Sequence, residues 1–120
     1  MTEAAAKDKR RFTRVRVSLD VTIRCTDGRL THARAVDLSE GGMYVEYESS
    51  AEQGRVLDMF FDLPFAQDFK RIYVKGEVVR AVVIGNRDVF GIAFNFIQFA
   101  RQSDLFLQKY IEIRGTKTGM

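Results

Sequence analysis

Three arginines near the start of this 120-residue chain are spaced to grip an anion. They lie in Arg10-Arg11-Phe12-Thr13-Arg14, an RxxxR spacing with a further arginine inside it. A guanidinium is a planar fork of donors that meets phosphate oxygens bidentately. Two forks four residues apart, Arg10 and Arg14, reach different parts of one compact ligand if the segment curls over it. Further along, Asp37-Leu38-Ser39-Glu40-Gly41-Gly42 has the form DxSxxG between two strand-like runs. Asp37 is a carboxylate at a strand end, able to accept two parallel N–H donors together. Ser39 offers a small hydroxyl. Gly41 and Gly42 complete the turn, and Gly42 permits positive φ and a close approach of backbone to a ligand. Each motif also has a plain reading. The arginines would be a solvated basic tail, and Asp37 and Ser39 would only satisfy amides of an ordinary Asx-type turn.

The charge distribution supports an anionic partner at one place. Lys7, Lys9, Arg10, Arg11, Arg14 and Arg16 against Asp8 leave +5 in a short stretch, so with a total of +3 the remaining chain sums to −2. The basic character belongs to one N-terminal segment and not to a wholly basic surface. The length and a 46% hydrophobic content suit one domain with one core. A single cysteine, Cys25, excludes an internal disulfide and fits a reducing cytosol. Ending an apolar stripe, it reads as a small buried hydrophobe. No run approaches the roughly 18 apolar residues of a membrane helix. Arg10-Arg11 does not read as an export signal, because Arg16, Asp20 and Arg24 interrupt the region that would have to be apolar.

The elements that must position these residues are mostly strands. Residues 1–9 lack apolar periodicity and read as a flexible tail. Val15, Val17, Leu19, Val21, Ile23 and Cys25 alternate strictly with polar residues, the mark of a half-buried strand. Thr26-Asp27-Gly28-Arg29 supplies a turn with positive φ. A second strand is expected from about Leu30 to Leu38, a third over Met43–Tyr47, and a fourth over Arg55–Leu63. A loop from Pro64 to about Lys70 leads to a fifth strand over Arg71–Ile84, whose phase change near Val78-Val79 predicts a bulge. After Gly85-Asn86-Arg87-Asp88, a sixth strand carries Phe90, Ile92, Phe94 and Phe96 in alternation. The period then becomes helical. Phe99, Phe106, Tyr110 and Ile113 are expected on one helical face, with Leu105 and Leu107 near its flanks, Ser103 or Asp104 capping the start and Gly115 the end. Pattern alone reaches an all-β barrel or sandwich plus a helix.

Little suggests catalysis. No nucleophile has a base near it, no Walker-type loop is present, and the lone His32 has no triad-like context. His32 and Arg34 project from the face opposite Ala33 and Ala35, and could flank a ligand or form a plain exposed strand face. One histidine and one cysteine without ligand spacing do not make a metal site. The chain reads as a non-enzyme.

Taken together and in this order, the RxxxR and DxSxxG motifs resemble the signature of the PilZ domain family, bacterial receptors for cyclic di-GMP. The resemblance extends over strands from Val15 to about Phe96, a Gly91-Ile92-Ala93-Phe94 segment near the last strand, and a closing helix around Leu105 to Ile113. It implies a mainly β fold: a six-stranded antiparallel β-barrel with a C-terminal α-helix and a flexible basic N-terminal segment. The domain would span 10–114, with a frayed tail at 115–120. It also implies direct ligand roles for Arg10 and Arg14, a further contact from Arg11, and a binding turn of Asp37, Ser39, Gly41 and Gly42. The ligand carries two phosphates and two guanines. Arginine forks fit both phosphate and the guanine O6/N7 edge, and they stack on bases. Asp37 can accept from guanine N1–H and the 2-amino group. The implied function is a cytoplasmic receptor without an output domain of its own. Binding would order the arginine hinge against the barrel and change affinity for an unidentified protein partner. Motility, biofilm matrix production and virulence are the processes the family serves. No cofactor, nucleic acid or membrane insertion is implied. Two other readings are an interaction module that no longer binds the dinucleotide, and a nucleic-acid-binding barrel using the basic segment and ten phenylalanines. The intact motifs count against the first. The core phase of most phenylalanines and the net acidic body count against the second.

Overall fold

The computed structural model describes residues 12–85 and 88–118, with side chains as far as Gly115. The expected tail over 1–9, Arg10, Arg11 and the turn residues Asn86 and Arg87 lie outside the described residues. Six antiparallel strands follow in chain order: β1 (Val15–Arg24), β2 (Leu30–Leu38), β3 (Gly42–Tyr47), β4 (Val56–Pro64), β5 (Phe69–Val83) and β6 (Phe90–Phe99). Helix α1 (Ser103–Thr118) closes the chain. The strands form a closed barrel in the order β1-β2-β3-β6-β5-β4.

Alternation fixes which side chains fill the barrel. Val21 and Ile23 of β1, Ala35 and Leu38 of β2, Val45 of β3, and Phe61 and Leu63 of β4 are all buried in one cluster. Ile72 and Val78 of β5 and Ile92 of β6 complete its centre. Short turns join neighbouring strands, while residues 48–55 cross from β3 to β4, which are not neighbours in the barrel. Gly28 stands at φ 91, and Asp27 Oδ1 accepts from Arg29 N–H at 3.0 Å, so the Asp-Gly turn forms as expected. Cys25 is only half-buried. The loop expected over Pro64–Lys70 is shorter than predicted. Pro64 pairs with Phe69 and Leu63 with Lys70, and Phe65 N–H donates to the Asp68 carbonyl across a tight turn. On the outer face of β4 and β5, Lys75 bonds Asp58, Phe60 packs on Tyr73, and Arg71 donates to both oxygens of Asp62 at 2.8 and 3.0 Å.

Bulges interrupt the regular pairing. Val78 pairs with Phe94 and Arg80 with Ala93, leaving Val79 as the extra residue where the phase change predicted one. A second bulge was not foreseen. Ala35 pairs with Val45 and Asp37 with Tyr44, so Val36 is extra.

The barrel seam between β1 and β4 is short, covering only Val21–Arg24 against Asp58–Phe61. Helix α1 packs against β5 and β1 and adds Leu107, Tyr110 and Ile111 to the core. The expected helical face needs correction. Phe99 ends β6 and is not part of the helix, Ile113 and the flanking Leu105 are exposed, and the buried stripe is Ser103, Leu107, Ile111 and, as expected, Tyr110. The cause lies at the helix start. Ser103 Oγ is not a free cap but accepts the N–H of Tyr73 on β5 at 3.0 Å. That bond turns Ser103 inward, and residues on its stripe follow. The helix also runs through Gly115 instead of ending there. Near that end, Arg114 donates to the Tyr110 hydroxyl and to the Arg16 carbonyl.

Candidate ligand-binding site

A cleft of about 700 Å³ lies on the outer face of the barrel across β2, β3, β6 and β5. Phe12, Arg14, Asp37, Ser39, Gly41 and Gly42 all border it, so the described members of the two motifs meet in one place. The bulge at Val36 makes this possible. Ala33 and Ala35 point into the barrel, and unbroken alternation would send Asp37 inward as well. The extra residue lets Leu38 take the core position and turns Asp37 out.

Arg14 Nη1 lies 3.4 Å from Asp37 Oδ2. The other carboxylate oxygen, Oδ1, is buried and has no hydrogen-bond partner among the described residues. Buried acceptors are nearly always satisfied, and an orphan at the wall of a cleft is a place for a donor. Arg16 of β1 pairs across the sheet with Asp37, which adds a second cation beside it.

The turn departs from the expectation in its details. Ser39 is only 4% exposed. Its hydroxyl accepts the N–H groups of Gly41 and Gly42, each at 3.2 Å, and donates to the Gly42 carbonyl at 3.3 Å. In this conformation Ser39 shapes the turn and does not face outward. Gly42 is not at positive φ, unlike Gly28, Gly54 and Gly85. It is glycine for lack of room, since a β-carbon there would run into the carbonyl oxygen of Phe94. At Gly41 a β-carbon would stand 2.7 Å from the Phe12 ring, so that ring lies directly on the turn. A bond from Phe96 N–H to the Gly41 carbonyl, 2.9 Å, holds the turn against β6.

Residues outside the motifs complete the cleft. Tyr44 of β3 borders it, and its hydroxyl lies over Gly91, where any side chain would displace it. Ala93 of β6 is a low floor, and Arg80 of β5 stands at the far side. Their signal in the sequence was strand phase: Tyr44 alternates with the core residues Met43 and Val45. His32 lies on the exposed face of β2 and does not border the cleft, while Arg34 beside it donates to Ser18 Oγ at 2.6 Å. Among the described residues no cluster of three or more His, Cys, Asp or Glu side chains could hold a metal. No described helix is long and apolar enough to cross a membrane.

Comparison with solved structures places this architecture among known ones. The inhibitor of motility MotI/DgrA of Bacillus subtilis superposes with a TM-score of 0.80 at 19% identity, covering 92% of this chain and 53% of that one. The PilZ domain of YcgR from Escherichia coli, solved with c-di-GMP, gives a TM-score of 0.65 at 17% identity, covering 92% and 94%. The MrkH–c-di-GMP complex of K. pneumonia gives 0.68 at 17% identity, covering 92% and 55%. This chain thus spans about half the length of MotI and of MrkH. No curated protein matches it. At these identities the structures show a shared fold, and the family rests on the sequence: the PilZ domain model matches residues 8–111. A six-stranded barrel with a closing helix, and a family match over most of the chain, make this protein a member of the PilZ domain family.

Proposed function

We propose that the chain is a cyclic di-GMP receptor that holds the dinucleotide between the arginine segment and the Asp37–Gly42 turn. The observation that carries this reading is the Asp37 carboxylate. One oxygen faces Arg14 and the other is buried without a partner among the described residues, at the wall of a cleft. Guanine presents N1–H and the 2-amino group as parallel donors, which is what such an oxygen pair accepts. Arg14 borders the same cleft, and Arg10 and Arg11 precede it by four and three positions, so their forks serve the phosphates and the O6/N7 edge of the guanine at Asp37. Solved relatives in the same family carry c-di-GMP, which supports the choice of ligand.

The protein's own chemistry is binding, not catalysis. Closing the arginine segment over the ligand changes the surface offered to a protein partner in the cytoplasm, and the partner reads that change. The functional unit is residues 10–114. Calorimetric titration with cyclic di-GMP, GTP and single-stranded RNA tests the proposal. Saturable binding of cyclic di-GMP alone is expected. A folded chain that ignores cyclic di-GMP overturns the receptor reading and leaves an interaction module. Preference for RNA overturns both.

A further inference from the structure

Four strands contribute one residue each to a row across the cleft. Asp37 of β2 pairs with Tyr44 of β3, Tyr44 with Ala93 of β6, and Ala93 with Arg80 of β5. Neighbouring strands lie about 4.8 Å apart, so roughly 14 Å separate the two charged ends of the row. Between them the floor is low, because Ala93 is small and Tyr44 lies down over Gly91.

Arg80 owes its direction to the same device as Asp37. Val74, Gly76 and Val78 point into the barrel, and unbroken alternation would put Arg80 there too, in an apolar interior. The extra residue Val79 returns the inward phase to Ala81 and sets Arg80 outside. Two bulges on two different strands therefore aim opposite charges onto one row from its two ends. Bulges gather beside binding sites for this reason. Arg80 is exposed, borders the cleft, and has no hydrogen bond or ion pair among the described residues.

We infer that Arg80 is a specificity-determining ligand residue that holds the second guanine of cyclic di-GMP through its O6/N7 edge. This rests on the receptor reading above. The two guanines extend from opposite ends of the cyclic ribose–phosphate ring. With one against Asp37, the other is the group that reaches across the row. An arginine fork fits guanine O6 and N7 together, whereas adenine presents a donor in place of O6.

The test compares wild type, Arg80→Ala, Arg80→Lys and, as a control for lost charge outside the cleft, Arg101→Ala. Each is titrated with cyclic di-GMP and with the mixed cyclic GMP–AMP, which keeps one guanine for Asp37 and offers adenine to Arg80. Wild type should prefer cyclic di-GMP. Arg80→Ala should lose roughly tenfold or more in affinity for it and far less for the mixed ligand. Arg80→Lys, a charge without the fork, should lose the preference as well, and Arg101→Ala should keep it. Melting temperatures should match, since Arg80 is exposed. Unchanged affinity, or equal losses for both ligands, overturns the assignment of Arg80 while the receptor reading stands. A wild type that binds neither ligand overturns both.

Discussion

A β-carbon on Gly42 would collide with the carbonyl oxygen of Phe94, so β3 and β6 meet at this point with no space for a side chain. The obstacle is backbone, which cannot rotate away. Gly42→Ala should therefore destabilise the fold by about 1–3 kcal/mol through overpacking. Urea unfolding checks this. Gly28→Ala, at positive φ but in open space, should behave differently: its cost is conformational and local. A neutral Gly42→Ala would mean that the two strands separate easily.

Ser39→Ala should cost about 1–3 kcal/mol, because two glycine amides lose their shared acceptor, and that of Gly42 is buried. Affinity for cyclic di-GMP should fall with it, and Ser39→Thr should recover neither unless its methyl group finds room. Unfolding and titration of the same samples separate the effects. A stable Ser39→Ala that binds poorly would make the hydroxyl a direct ligand contact.

Asp37→Ala should weaken cyclic di-GMP binding and, above all, lower its preference over cyclic di-AMP. Adenine has no 2-amino group, and its N1 is an acceptor that repels a carboxylate. An unmatched buried acceptor costs about 1–3 kcal/mol, hence roughly tenfold in discrimination per guanine read in this way. Equal losses for both dinucleotides would show that Asp37 only shapes the strand end.

Arg14→Ala should weaken cyclic di-GMP binding by about 1.5–3 kcal/mol, the usual range for a charge-assisted bond. Stability should hardly change. The Arg14 side chain is 62% exposed and its contact with Asp37 is long, so that pair contributes little to folding. Calorimetry beside thermal melting checks both halves. Unaltered affinity in a folded variant would remove Arg14 from the site.

One source of acid sensitivity lies on the outer face of β4 and β5. Hydrogen bonds from Arg71 hold the Asp62 carboxyl below the usual carboxylate range. A lowered folded-state pKa adds stability above the unfolded value near 3.9, and that stability is lost as pH falls through the folded value. Both side chains are nearly half exposed, so the amount is small, roughly 0.2–1 kcal/mol. Asp62→Asn should be slightly less stable than wild type at pH 6, and the gap should close near pH 2. A gap that stays constant would remove Asp62 from the acid transition.

Strand phase explains what could be read in advance. The run from Val15 to Arg24 alternates without error, and the break near Val78-Val79 marked a real bulge. The bulge at Val36 left no such trace. Ala33, Ala35 and Val36 are all small or apolar, so the pattern does not show which one is extra. The helix face was misjudged for a related reason. Apolar residues cover more than one side of α1, and its rotation is set by the bond between Ser103 and Tyr73, which lie 30 residues apart. Gly42 and Ser39 stand out in the sequence as ligand residues, whereas the contacts the structure gives them are steric and internal to the turn. Only the neighbouring carbonyl of Phe94 and the amides of the turn reveal that. Arg80 was hidden in plain view: the phase break implied that it turns outward, but not that it shares a row with Asp37.

The bond from Arg114 to the Arg16 carbonyl joins positions 98 apart in the chain. It ties the far end of the helix to the first strand of the barrel. On one side of it the chain leads to Thr13, whose methyl group lies near Gly115, and on into the arginine segment. The closing turn of the helix thus rests against the residues that lead into β1, so a change at either place meets the other directly.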